Sequence, residues 1–208
     1  PVILLFAMAH VRQVLSCACE AAREAGVASG MDVSHARALI ADRAIHLDDH
    51  HPERDNKALD ALAQWALRFG PVVAADPPDG LLLDVAGCER LYGSDARIMQ
   101  TVADAIARHG FNVRAALAPT VGAAWAFARF GPDRTIIDAR EPLRDRLADL
   151  PVRALRVEPA TVTALAEIAV TRIGDLYPLP RQGLATRFGS TLLLRLDQAL
   201  GEAFEPFV

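Results

Sequence analysis

Two carboxylates flank the turn Asp76-Pro77-Pro78-Asp79-Gly80, and a third, Asp84, ends the apolar run Leu81-Leu82-Leu83. Carboxylates brought together from separate elements are the residue type that holds divalent cations. Asp84 lies five residues from Asp79, and an odd separation on one strand sends the side chains to opposite faces. Asp76 sits across the turn from Asp79 and can approach it. Asx side chains at such positions also satisfy turn backbone, which is the structural role expected for both.

A second grouping, His46, Asp48, Asp49, His50 and His51, is metal-like in composition. No spacing in it matches the i, i+4 pair of a helical metal motif. The acids stand just before Pro52, where they meet the positive end of the helix it opens. No metal site is expected there. Cys17, Cys19 and Cys88 form an odd set without a C-x-x-C pair. They argue against a disulfide framework or structural zinc and read as structural cysteines.

The elements that must position these residues follow from period and punctuation. Val2–Phe6 and Arg12–Cys17 read as strands around a bend at His10, Glu20–Ala25 as a short helix closed by Gly26, and Asp32 as the N-cap of a second helix. Ala44–Leu47 is a further strand. Leu59, Leu62, Trp65, Ala66 and Phe69 recur at helical spacing between Pro52 and Gly70, marking an amphipathic helix whose stripe faces a sheet. Strands Val72–Ala75 and Leu81–Val85 form a hairpin around the carboxylate turn. Helices are expected from Ser94 to His109 and from Thr120 to Arg129, with strands at Val113–Ala118 and Thr135–Ile137. The hairpin is expected to pair with Val113–Ala118, and the Leu59–Phe69 helix to cover that sheet. Trp125, Phe127 and Phe130 fall on helical faces and read as core. Beyond Leu150-Pro151 only short helices remain: Pro159–Ala169, Ile173–Leu176, Gln182–Phe188 and Thr191–Leu200. The fold class is α+β with an all-helical end.

The 208 residues are 52% apolar, ample for packed cores. No run approaches the ~20 apolar residues of a membrane span. The apolar opening lacks the basic start and cleavage site of a signal peptide, so a cytoplasmic protein is expected. Net charge is −4 with no basic tail, which gives no support for strong autonomous DNA binding. Of the 22 basic residues only Lys57 is lysine.

Three stretches, in order, resemble the core of Y-family (translesion) DNA polymerases. Arg12 to Met31, ending Gly26-Val27-Ala28-Ser29-Gly30-Met31, resembles the fingers signature. Leu83-Asp84-Val85-Ala86-Gly87 resembles the sequence closing the palm hairpin. Thr171-Arg172-Ile173-Gly174-Asp175-Leu176, with Leu179-Pro180 and Arg187-Phe188-Gly189, resembles a helix-hairpin-helix thumb. The resemblance implies a fingers-like subdomain at 1–52, a palm-like domain at 53–149 with a helix-covered sheet, and a thumb-like domain at 150–208. Departures accompany it. The family's first metal-binding carboxylate comes from a strand that would precede Pro1, so the chain reads as a fragment. The family's adjacent Asp-Glu falls on Asp79-Gly80, leaving Asp79 as a vestigial catalytic candidate. Its triphosphate-contacting Tyr and Arg fall on Glu20 and Arg23, leaving Arg23 as a vestigial nucleotide-binding candidate. Its Asn-Lys falls on Thr120-Val121.

The pattern resembles the ImuB group of non-catalytic Y-family relatives, which shares "D-P-P-D-G-L-L-L-D" and "L-L-L-R-L-D-Q-A-L-G". That resemblance implies an adaptor in DNA damage tolerance and translesion synthesis. Its partners would be a RecA-like accessory protein, an error-prone replicative-type polymerase and, through regions beyond Val208, the sliding clamp. DNA contact is expected to be weak and non-specific, through Ile173, Gly174 and Asp175. The first family hairpin falls on Val157-Glu158-Pro159, which lacks both glycines. No cofactor is expected. Mg²⁺ enters only under the alternative, a working polymerase whose first catalytic strand lies upstream. Gln198-Ala199-Leu200 with Phe204 faintly echoes a clamp-binding peptide but continues the stripe of Leu192, Leu193 and Leu196, and reads as core.

Overall fold

The computed structural model describes residues 2–9 and 11–207. The chain is α+β and divides into two compact units, Pro1–Ala58 and Leu59–Val208. In the first, β1 (Val2–Ala9) pairs antiparallel with β2 (Arg12–Ala18) and parallel with β3 (Ile45–Asp49), giving the order β2-β1-β3. The bend expected at His10 lies outside the described residues. A parallel neighbour demands a crossover, and α1 (Glu20–Glu24) and α2 (Val33–Leu39) supply it. Val2 and Leu4 are buried while Ile3 between them is exposed, as the two-residue period of a strand requires. Leu15, Ala18, Ala22, Val27, Val33, Ala36 and Ile40 complete this core. The Asp32 carboxylate accepts the Ser34 N–H at 2.8 Å and starts α2 as the expected N-cap.

The division between the units falls inside α3 (Pro52–Ala66). Beyond Leu59, Trp65, Ala66 and the following Phe69 pack with Val73, Leu81 and Leu83 of the hairpin formed by β4 (Val72–Asp76) and β5 (Gly80–Asp84). A short helix, α4 (Glu89–Tyr92), adds Tyr92, and α5 (Asp95–Ala107) adds Val102 and Ala105. The apolar stripe of α3 therefore faces the hairpin, as expected. Ser94 caps α5 by accepting the Arg97 N–H.

The third strand behaves differently from the expectation. Among the described residues β4 and β5 form a sheet of two, and β6 (Ala116–Leu117) pairs in parallel with β7 (Thr135–Ile136) instead. The cause lies just upstream. The Ala115 N–H donates to the Asp133 carboxylate at 3.0 Å and its carbonyl accepts the Arg134 N–H at 2.9 Å. The Arg114 guanidinium meanwhile reaches the carbonyls of Ala128 and Gly131. These bonds commit this edge of the segment to residues 131–137.

The remaining elements are α6 (Val121–Phe130), α7 (Leu143–Ala148), α8 (Pro159–Ala166), α9 (Arg181–Phe188) and α10 (Ser190–Leu200), with 3-10 turns at Val152–Leu155 and Ile173–Leu176. One apolar core runs across residue 150. Ala123, Ala126 and Phe127 of α6 meet Leu147, Leu155, Leu165, Ile173, Leu192 and Leu196 in it. Thr120 caps α6 by accepting the Ala123 N–H, and its hydroxyl donates to the Ala199 carbonyl at the end of α10.

Candidate functional site

Asp76 is the last residue of β4 and pairs across the ladder with Gly80; Asp79 lies in the turn between them. Opposite stands α6. Trp125 and Arg129 are four residues apart on it, so they share a face. The Trp125 indole N–H donates to Asp76 Oδ2 at 2.7 Å. Arg129 Nη2 donates to the same oxygen at 3.2 Å and pairs with Asp79 Oδ1 at 2.8 Å. The guanidinium also lies over the Trp125 ring, 4.7 Å from its centroid, where the ring's negative face attracts a cation.

The cluster is unevenly exposed: Arg129 and Asp76 keep 27% and 23% of their side-chain surface, Asp79 65%. Burial works against the charge on Arg129. The hydrogen bond and charge of Asp79, then those of Asp76, outweigh it, and the guanidinium is held more firmly protonated than an ordinary arginine. Asp76 thus takes two donors on one oxygen, one of them charge-assisted and therefore among the stronger kinds of hydrogen bond.

Gly80 is part of this arrangement. A Cβ there would stand 2.7 Å from Asp76 Oδ2, 3.0 Å from Arg129 Nη2 and 3.0 Å from the Asp76 carbonyl oxygen. A side chain at 80 would require the Asp76 carboxylate, and with it the ion pair, to shift. As arranged, the carboxylates do not fit a pair of divalent ions, because their oxygens already converge on one guanidinium nitrogen.

The other sequence-derived candidates lie apart from this cluster. Asp84 is exposed and accepts the Ala86 N–H at 3.0 Å. Val121 begins α6 beside the capping Thr120. Arg23 stands exposed on α1 in the first unit. Ile173 is fully buried in the core, and Gly174 backs onto α7, where a Cβ would stand 3.1 Å from Ala148 Cβ. The Asp175 carboxylate turns back to accept the N–H groups of Thr171 and Arg172 at 2.9 and 2.8 Å. These bonds hold its carboxyl below the usual aspartate range. In the histidine group, His50 Nε2 lies 3.4 Å from Asp55. Among the described residues no three His, Cys, Asp or Glu side chains are placed to share a metal ion. Gln198 is buried within α10, and Phe204 is 86% exposed.

Trp125 and Arg129 are the residues that sequence reasoning missed as site components. Their i, i+4 spacing was visible; what they face was not, since Asp76 is 49 residues from Trp125 and 53 from Arg129.

Comparison with known proteins gives the family and the fold. The family model described as IMS, impB/mucB/samB family, matches residues 1–129. The chain is 44% identical over 180 residues to Protein ImuB of Caulobacter vibrioides, which covers 86% of this chain and 39% of that protein. It is 31% identical over 184 residues to DNA polymerase IV of the same species, covering 86% of this chain and 45% of the relative. The chain therefore spans about two fifths of the relatives it matches. Among solved structures, DinB from Sulfolobus solfataricus superposes with a TM-score of 0.81 at 16% identity, over 99% of this chain and 61% of that one. An insertion ternary complex of Dbh DNA polymerase gives 0.78 at 15% identity, over 99% and 61%. The fold over nearly the whole chain is that of a Y-family DNA polymerase core, and the chain belongs to the impB/mucB/samB family.

Proposed function

We propose that the protein is a non-catalytic, polymerase-like adaptor in DNA damage tolerance and translesion synthesis. The observation that carries this reading is the Arg129 guanidinium shared between Asp76 and Asp79, with Gly80 pressed against it. A two-metal nucleotidyl transfer needs open carboxylates to neutralise divalent ions. Here the turn's carboxylates serve an internal cation instead, and the one at 79 has no acidic neighbour at 80. The higher identity to Protein ImuB than to DNA polymerase IV points the same way.

On this reading Asp79 and Arg23 are remnants of catalytic and nucleotide-binding positions, and no cofactor is used. Contact with DNA is weak and non-specific, near Ile173, Gly174 and Asp175, where Asp175 already holds two N–H groups that a phosphate would seek. The working partners are a RecA-like accessory protein and an error-prone replicative-type polymerase. Clamp contact is made by regions outside this sequence, and the setting is the cytoplasm.

Primer extension by the full-length protein is the test. With Mg²⁺ or Mn²⁺ and all four nucleotides, no extension is expected. Extension that disappears in Asp79→Ala would make Asp79 a working metal ligand and replace this reading with that of an active polymerase.

A further inference from the structure

Beyond Arg129 the contacts continue without a break. The Arg156 guanidinium also lies over the Trp125 ring, 5.6 Å from its centroid. Arg156 takes a left-handed backbone, φ 57°, which a non-glycine residue adopts only when its surroundings hold it there. Its Nη2 pairs with Glu205 Oε1 at 2.6 Å and donates to Oε2 at 2.8 Å. The Glu205 side chain is only 9% exposed, and Arg195 Nη1 reaches it at 3.0 Å. Arg195 also donates to Gln198 Oε1, and Gln198 Nε2 donates to the Phe204 carbonyl at 3.3 Å. The segment after α10 is thereby strapped down, with Glu202 and Ala203 N–H both donating to the Asp197 carbonyl.

From these contacts we infer that the carboxylate turn and the segment 201–207 form one thermodynamically coupled unit, with Trp125 as the relay between two arginine–carboxylate clusters. The physical basis is shared partners. Asp76 fixes the indole through its N–H and fixes Arg129 above the ring; Arg156 uses the same ring while it neutralises a buried glutamate. Polar groups that share partners in a partly buried setting hold one another in place, and each member's position depends on the next. Glu205 makes the far end sensitive. Arg156 and Arg195 are the charged partners of this largely buried carboxylate, so loosening Arg156 loosens the strap. The turn thus has a structural role independent of whether the protein performs chemistry, so its test is separate from primer extension.

The experiment is a double-mutant cycle on the full protein, using chemical denaturation of Asp76→Ala, Glu205→Gln and the double variant. The control is Asp104→Ala with Glu205→Gln, since Asp104 pairs with Arg134 outside the network. In the first cycle the effect of the second substitution on the unfolding constant should shrink about threefold or more, the low end of coupling within shared networks. The control cycle should be additive. Additivity in both cycles would overturn the inference. Should a cycle variant fail to fold, Trp125→Phe keeps an aromatic face under the two arginines but removes the N–H to Asp76 along with the second ring. Its Glu202 and Ala203 amides should exchange hydrogen severalfold faster than in wild type, while the core Val170 amide stays unchanged. Unaltered exchange at 202 and 203 would equally overturn it.

Discussion

The turn at Asp76–Gly80 and the turn at Thr171–Asp175 both present carboxylates, and they neutralise them in opposite ways. Asp175 is served by its own neighbours: the N–H groups three and four residues before it close on its carboxylate at 2.8 and 2.9 Å. Asp76 and Asp79 are served by Trp125 and Arg129, roughly fifty residues away in sequence. A local solution depends on a short stretch of chain and survives in an exposed site. The long-range solution exists only once α6 has docked on the hairpin, and a side chain at Gly80 would have to displace the Asp76 carboxylate.

The sharpest way to break the comparison is to put the acid back. Gly80→Glu should destabilise the protein by about 3 kcal/mol, combining overpacking of a tight site with a third carboxylate beside Asp76. Gly80→Ala separates the steric part and should cost about 1–2 kcal/mol. Urea midpoints at neutral pH measure both. A neutral Gly80→Ala would mean that Asp76 moves aside freely, and the turn would then be as adaptable as the exposed one at Asp175.

Arg129→Ala comes next, at about 2 kcal/mol. Asp76 would keep its indole donor but lose a charge-assisted one in a mostly buried setting. The Asp79 share is small because that carboxylate is 65% exposed and screened by water. Arg129→Lys should recover less than half of the loss, since an ammonium lacks the planar fork that spans two carboxylates while stacking on Trp125. Full recovery by lysine would reduce the cluster to simple charge balance.

The same contrast separates what the sequence showed from what it hid. Caps, hairpin and amphipathic stripe were legible because each rests on a few adjacent residues: Asp32 on Ser34, Ser94 on Arg97, Thr120 on Ala123. The resemblance to translesion polymerases was legible from motifs of the same local kind. What Gly80 meets was not legible, because it depends on the docking of α6. The strand partner of Ala116–Leu117 was misjudged for a related reason. Asp133 and Arg134 take up the Ala115 backbone, and nothing in the apolar run Val113–Ala118 announces them. The short helix α7 was missed because six residues between prolines show too little periodicity.

The smallest expected effect belongs to the local turn, and it carries a pH signature. Asp175 has its folded-state carboxyl held below the ordinary aspartate value, first by the Arg172 N–H and then by the Thr171 N–H. A depressed folded pKa means that the unfolded chain binds a proton more readily as the medium acidifies. Its contribution is therefore fully present above the unfolded value of about 4 and is lost as pH falls from there through the folded value. Asp32, held down by the Ser34 N–H, adds in the same direction and window. Asp175→Asn retains a carbonyl oxygen that can accept both N–H groups, which share one oxygen in the wild type, but it cannot ionise. It should lower stability slightly at neutral pH, by less than Arg129→Ala does. As pH drops below about 4 the variant should converge on wild type, because protonated Asp175 loses the same advantage. Denaturation midpoints of the two proteins across that window give the readout. Parallel curves with a constant gap would show that Asp175 acts through shape alone. A gap that closes on acidification would show a local turn held by charge, which in the first turn requires a partner some fifty residues away.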